Sequence, residues 1–333
     1  MNAAPHRPIP ASARGLRVSV GAGAWLAAAW WGVPHVLHQS WAYALLLFAA
    51  LVLVPLVLDL VQEASGPPVV ARCFGLARWL QLPAALLLAV ACAQPPGWRA
   101  LLLASPWLGV CGLLAAIGVE RIRRRGTASL ALLCRDAGLA FLAVGGAWLA
   151  ADRIGLRPLG FSADIVLLTA VHFHYAGLIL PIVTGRILAR FPDSVPAKAA
   201  GWGVLAGVPL VAAGITSAQL GYGNSGELIA AITLASASLV VALLHLKLAA
   251  QPRWAARVRI LWALAALSLV FSMSLAVLYA GRPYYLPIPW LDIPWMRALH
   301  GSANVFGFAL ASVVGWRLAD ALRSETPQPD TRR

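Results

Sequence analysis

Charge is scarce in this sequence. Only 11% of its 333 residues are Asp, Glu, Lys or Arg, whereas soluble domains run near a quarter. A chain that is 60% hydrophobic has too little polar surface to coat a water-soluble core, so the shortage excludes that class. Acids are rarer than bases, 12 Asp and Glu against 26 Lys and Arg. The resulting net charge of +14 would suggest nucleic acid if the bases shared a polar face. They are scattered through short loops between apolar runs instead, and no nucleic-acid partner is expected. The four cysteines, Cys73, Cys92, Cys111 and Cys134, form no CxxC pair, which leaves no basis for a disulfide framework, a zinc knuckle or covalent c-type haem. No HExxH motif is present, which leaves the metal signal weak, and Gly-rich phosphate loops, a Ser nucleophile elbow and Walker motifs are all missing, which argues against ATP-driven transport by this chain alone.

Apolar length is what the chain has in quantity. A bilayer core about 30 Å thick needs about 20 apolar residues per helix. Ten stretches qualify: 18–37, 41–62, 76–93, 98–119, 129–151, 163–188, 199–221, 226–249, 258–281 and 296–319. The third is the shortest and contains Pro83. In lipid every backbone amide must be bonded within its own segment, so these stretches predict helices. The fold class expected is an all-α polytopic membrane bundle of about ten transmembrane helices. Its parts would be a cytoplasmic segment at 1–17, a single transmembrane domain at 18–320 and a polar cytoplasmic tail at 321–333. The first stretch follows Arg7, Arg14 and Arg17 like a signal peptide, but its length and tryptophans predict a retained span.

Positive charge assigns the sides. Arg99, Arg153, Arg157, Arg282 and Arg297 fall on one face, Arg135 lies within a span, and every other Lys and Arg falls on the opposite face. The positive-inside rule makes that opposite face cytoplasmic and puts both termini there. Five spans followed by five would also invert one half against the other, as in many transporters, although no repeat is legible. The outer loop Gly281–Trp295 alternates prolines with aromatics and suits an interfacial lid.

Polar groups inside spans are costly and therefore informative. His172 and His174 lie nine to eleven residues into the sixth stretch, roughly 14–17 Å deep at 1.5 Å per residue. Residues two apart on a helix point about 200° from each other, so both reach one centre only across a local bulge. His300 opens the tenth stretch with Asn304 one turn below it on the same face. His35 and His38 are read as the outer end of the first helix. Glu227, Asp164, Gln219 and Asp292 sit near the same level. Arg135 and Asp136 enter the inner part of the fifth stretch, as a structural ion pair or a relay, each pairing with another span. His245 and Lys247 are read as groups at the cytoplasmic rim.

The segment Ala170–Ile187, AVHFHYAGLILPIVTGRI, resembles the signature of the YndJ-like bacterial membrane proteins, and HGSANVFGF from His300 to Phe308 resembles that family's pattern near its last span. The remaining spans match it in hydropathy and order. The resemblance implies that His172, His174, Tyr175, His300 and Asn304 are distinctive positions, and that the chain is a multi-pass protein of the bacterial cytoplasmic membrane. It implies no reaction. The residues themselves predict a membrane-embedded enzyme acting on a small or lipid-soluble substrate in the outer half of the bilayer. His172, His174, Tyr175, His300 and Asn304 are its catalytic candidates, with His35, His38 and Glu227 behind them. Imidazoles from several helices make His172, His174 and His300 candidate ligands for a divalent metal or haem. A secondary permease and a haem- or copper-binding protein are the alternatives.

Overall fold

The structure, a computed structural model, describes residues 11–63, 67–284 and 288–325. Every regular element among them is helical. Helix α1 is Ala11–Gly32. It is followed by α2 Ser40–Leu60, α3 Pro68–Cys92, α4 Trp98–Arg125, α5 Leu130–Ile154, α6 Ala163–Leu188, α7 Val195–Gln219, α8 Ser225–Ala249, α9 Ala256–Ala280 and α10 Ile293–Arg323. The last nine are long and apolar enough to cross a membrane. Helix α1 is not among them, because Arg17, Ser19 and its glycines dilute its apolar run. It nevertheless packs antiparallel along α2. Trp25 Nε1 donates to the Ala44 carbonyl of α2 (2.8 Å), while at the other end Arg17 reaches across to the Arg78 carbonyl of α3 (2.6 Å). Between them Gly21 sits so close to α2 that a Cβ would lie 2.1 Å from the Leu51 carbonyl oxygen, a small-residue contact of the kind membrane helices use.

Each expected span thus has a helix, with differences at the ends. Helix α1 stops at Gly32 rather than at residue 37, since a proline, here Pro34, disfavours helical backbone in the residue before it. Helix α3 starts at Pro68 rather than 76, with proline in its first turn where the missing N–H costs nothing. It carries Pro83 inside a 25-residue helix. The final helix runs on to Glu325, so the segment expected to be a tail begins as helix. Residues 1–10, 326–333 and, in the proline-rich loop, 285–287 lie outside the described residues.

Helices α2 and α6 form the centre, with 83% and 72% of their most apolar windows buried, and the rest surround them at 33–50%. Sequence neighbours pack side by side from α3 to α5 and from α7 to α10, and α10 closes back onto α2. Outward-facing apolar side chains such as Leu102, Ile229 and Leu267 are more than 60% exposed, a surface that lipid must cover. Trp30, Trp31, Trp98, Tyr222, Tyr284 and Trp290 are exposed at one end of the bundle, where an aromatic belt meets the headgroups. The other end is the arginine-rich face, where Asp59 at the end of α2 joins Arg78 of α3 (2.6 Å) and Arg317 of α10 (2.9 Å).

Candidate functional site

A cavity of about 300 Å³ opens among α6, α7, α8, α9 and α10, reaching Leu45 of α2 and Trp148 of α5. Its walls are mostly apolar, with a few polar groups among them: Thr169, His172, Tyr175, Thr216, Glu227, Tyr279, Arg297, His300 and Asn304. That composition is typical of a small-molecule site. The helices that shape it are locally underwound. Phe173–Gly177 in α6, and Met296–Gly301 with Ala303–Leu310 in α10, are π-helical. Such wide turns are rare and frequently mark functional sites, although a further one, Ala49–Leu53 in α2, does not line the cavity.

The underwound turn begins between His172 and His174, where the sequence required a bulge if both were to meet one centre. His174 still turns away. Its Nδ1 donates to the Ala170 carbonyl (2.8 Å) and its Nε2 accepts from Trp107 Nε1 (3.2 Å), with Cys111 Sγ at 4.0 Å. Fully buried, it ties α6 to α4 and does not line the cavity. His172 does line it, and its Nε2 is buried without a partner in the protein.

His300 is fixed by its surroundings. Its Nδ1 lies 2.8 Å from the Ser272 carbonyl and must donate to it, which leaves Nε2 to accept from Asn304 Nδ2 at 3.2 Å. Asn304 Oδ1 in turn accepts from Ser272 Oγ (3.0 Å). One neutral tautomer satisfies the whole loop. Tyr175 also lines the cavity, but its hydroxyl is committed to the Leu45 carbonyl (2.7 Å). Glu227 accepts from Arg282 Nη1 (3.2 Å), and that guanidinium stacks on Tyr279 at 3.9 Å.

The structure therefore gathers His172, Tyr175, Glu227, His300 and Asn304 on one cavity and leaves three expected members out. His174 faces α4. His35 and His38 lie in the exposed loop after α1, where His38 Nδ1 meets Ser40 Oγ (2.8 Å). Among the described residues no three His, Cys, Asp or Glu side chains are arranged to hold a metal ion, so the His172–His174–His300 ligand set is not assembled. His245 does not reach solvent as a rim group would. It is fully buried, accepts from Trp316 Nε1 (3.3 Å) and stacks near Trp262.

Arg135 and Asp136 stand apart from the cavity, and they meet each other as well as other spans. Arg135 Nε donates to Asp136 Oδ1 (3.0 Å), Arg125 Nη1 donates to Asp136 Oδ2 (3.0 Å), and Arg121 approaches the same carboxylate at 3.7 Å. Glu63, just past α2, bonds Arg125 and Arg135. Burial alone would raise the Glu63 carboxyl, but the Arg125 hydrogen bond and the charges of Arg135 and Arg121 hold it below the ordinary glutamate value. Three guanidinium groups thus share two carboxylates at the arginine-rich end of α5.

The family described as "YndJ-like protein" matches residues 44–308, a stretch containing every cavity-lining residue except Ala309. The chain belongs to the YndJ-like family. It is 31% identical over 186 residues to the "Uncharacterized membrane protein YndJ" of Bacillus subtilis (strain 168). That alignment covers 55% of this chain and 32% of the relative, so the chain spans about a third of the relative's length. No solved structure matches. As a YndJ-like chain it is a multi-pass bacterial integral membrane protein.

Sequence reasoning missed Arg297 as a site residue by counting it only as a charge beside a loop. It lies inside α10, three residues before His300 and so on the same helix face. Its Nη2 bonds the Leu37 carbonyl, while its Nε is buried without a partner. A basic residue within an apolar span was the available signal. Arg153 and Asp152 were missed in the same way. Arg153 is almost wholly buried, pairs with Asp152 (2.6 Å), donates to the Ala91 carbonyl (3.0 Å) and contacts Tyr43.

Proposed function

We propose that the protein is a membrane-embedded enzyme that takes a small, lipid-soluble substrate into this cavity and moves a proton through His172. One observation carries the reading: two polar atoms on the same apolar cavity, His172 Nε2 and Arg297 Nε, have no partner in the protein. Leaving a buried polar group unsatisfied costs about 1–3 kcal/mol each, whereas Thr169, Tyr175, Thr216, His300 and Asn304 on the same walls are all bonded. Arg297 supplies a cationic N–H donor suited to an oxygen on the substrate. His172 supplies the imidazole free to accept or donate a proton. His300, held by Ser272 and Asn304, presents a fixed dipole nearby. The apolar remainder fits a hydrocarbon body. A permease would need polar groups continuing to the arginine-rich face, and Arg135 and Asp136 are bound up in their own network instead.

The test is extraction of the detergent-purified protein with organic solvent, followed by mass spectrometry of what it carries. Ala231 lines the cavity, and Ala231→Trp would fill it. Wild type is expected to carry an apolar, oxygen-bearing molecule that Ala231→Trp lacks, and His172→Gln is expected to hold it in an unconverted form. Identical extracts from wild type and Ala231→Trp would overturn the binding reading. Identical substrate-to-product composition in wild type and His172→Gln would overturn the proton-transfer role.

A further inference from the structure

The arginine-rich face holds a second grouping of polar side chains without adequate partners. Arg190 follows the end of α6, and its guanidinium lies between two indoles, 5.2 Å from the Trp254 ring and 5.2 Å from the Trp316 ring. Its Nη1 is buried and has no hydrogen-bond partner, and its Nη2 comes only within 4.0 Å of Asp320. Three further guanidinium groups surround it. Arg186 stacks on Trp316 at 5.0 Å, Arg323 on Trp254 at 4.7 Å and Arg253 on Trp254 at 5.6 Å. The carboxylate in their midst, Asp320, is already bonded to Arg186.

Four fixed positive charges around one negative charge repel one another, and tryptophan faces offset only part of that cost. Burial, together with the charges of Arg323, Arg186 and Arg253, pushes Arg190 down to about 10 against the pull of Asp320. A planar guanidinium with free N–H groups is shaped to meet two oxygens of one tetrahedral anion. Arg253 and Arg323 are exposed, so an anion can reach the cluster from the aqueous side or from the headgroup layer.

We propose that Arg186, Arg190, Arg253 and Arg323 form a binding site for a phosphate group between the ends of α6 and α10 and the α8–α9 turn. The phosphate belongs either to an anionic lipid headgroup or to a small soluble phosphate, and both present at least two negatively charged non-bridging oxygens on one phosphorus. The site shares no residue with the cavity, which lies among the same helices away from their arginine-rich ends.

Native mass spectrometry of the full chain in detergent tests this, with inorganic phosphate and dioleoyl phosphatidylglycerol titrated separately and dioleoylglycerol, which carries no phosphate, as the blank. Saturable binding is expected with at least one probe. Binding of the lipid alone assigns the headgroup, binding of phosphate alone assigns a soluble source, and binding of both assigns the phosphate group itself. Arg190→Gln should weaken binding about tenfold or more, as expected for loss of a charge-assisted pair. The double variant Arg253→Gln/Arg323→Gln, at exposed positions that do not endanger folding, should do the same. Arg257→Gln, exposed on the same face outside the cluster, should stay within about twofold of wild type. The proposal fails if neither probe binds above the blank, if both cluster variants bind like wild type, or if Arg257→Gln loses as much as they do.

Discussion

Asp136→Leu is the most informative single perturbation of the scaffold. The carboxylate is 1% exposed and accepts from Arg125 and Arg135 at 3.0 Å each, with Arg121 at 3.7 Å. Removing it leaves three guanidinium groups facing Glu63 alone. Breaking a buried pair from one side costs about 3–5 kcal/mol, because the surviving charge loses its partner without regaining water. At roughly 2 °C per kcal/mol for a chain of this size, melting should fall by about 6–10 °C. The assay is thermal unfolding in detergent read by a thiol-reactive dye, since Cys111 and Cys134 are buried and free and become reactive as packing opens. The double variant Arg125→Met/Asp136→Leu removes one charge of each sign and should lose clearly less than the two single losses combined. A single variant melting within about 1 °C of wild type, or a strictly additive double, would refute the claim that these charges act as one unit.

Two further outcomes follow from the same packing. Glu63 is held below its ordinary value of 4.5, so its ionised form stabilises the fold above that value and the contribution is lost as pH falls below it. Glu63→Gln should accordingly melt lower at pH 7 and lose less on acidification than wild type, and identical pH profiles would count against the network. Gly185→Ala would place a Cβ 2.5 Å from the Ala131 carbonyl oxygen, forcing α6 from α5 at about 1–3 kcal/mol, whereas Gly112→Ala meets nothing within 4 Å and should be neutral or stabilising. Gly185→Ala must melt clearly below wild type while Gly112→Ala does not, or the close approach is not real.

The helices were legible because apolar length is a one-dimensional signal and lipid leaves the backbone no other form. Prolines moved two of the boundaries: Pro34 ended α1 early and carried His35 and His38 into a loop, and Pro68 started α3 early. Pairings within one helix were legible too, and the four-residue spacing of His300 and Asn304 became a hydrogen bond. What the chain could not reveal was direction across the bundle. His172 and His174 are equivalent in sequence, and only the placement of α4, with Trp107 opposite His174, decides which one is consumed by packing. Arg297, Arg153 and Arg190 were hidden for a different reason. Counting them toward sidedness was sound, but it treated as solvated several groups whose surroundings hold almost no water.

Helix α5 carries charge clamps at both extremities, Asp136 with its arginines at one and Asp152–Arg153 with Tyr43 at the other, sixteen residues or about 24 Å apart. A rod pinned at both tips can neither piston nor swivel without unfastening one clamp in a medium that offers no substitute partner. It is the mast of the assembly. Motion that admits a guest is therefore expected from α7, which carries no ion pair among the described residues, rather than from α8 and α9, which are fastened by Glu227 to Arg282 and by Ser272 to His300 and Asn304.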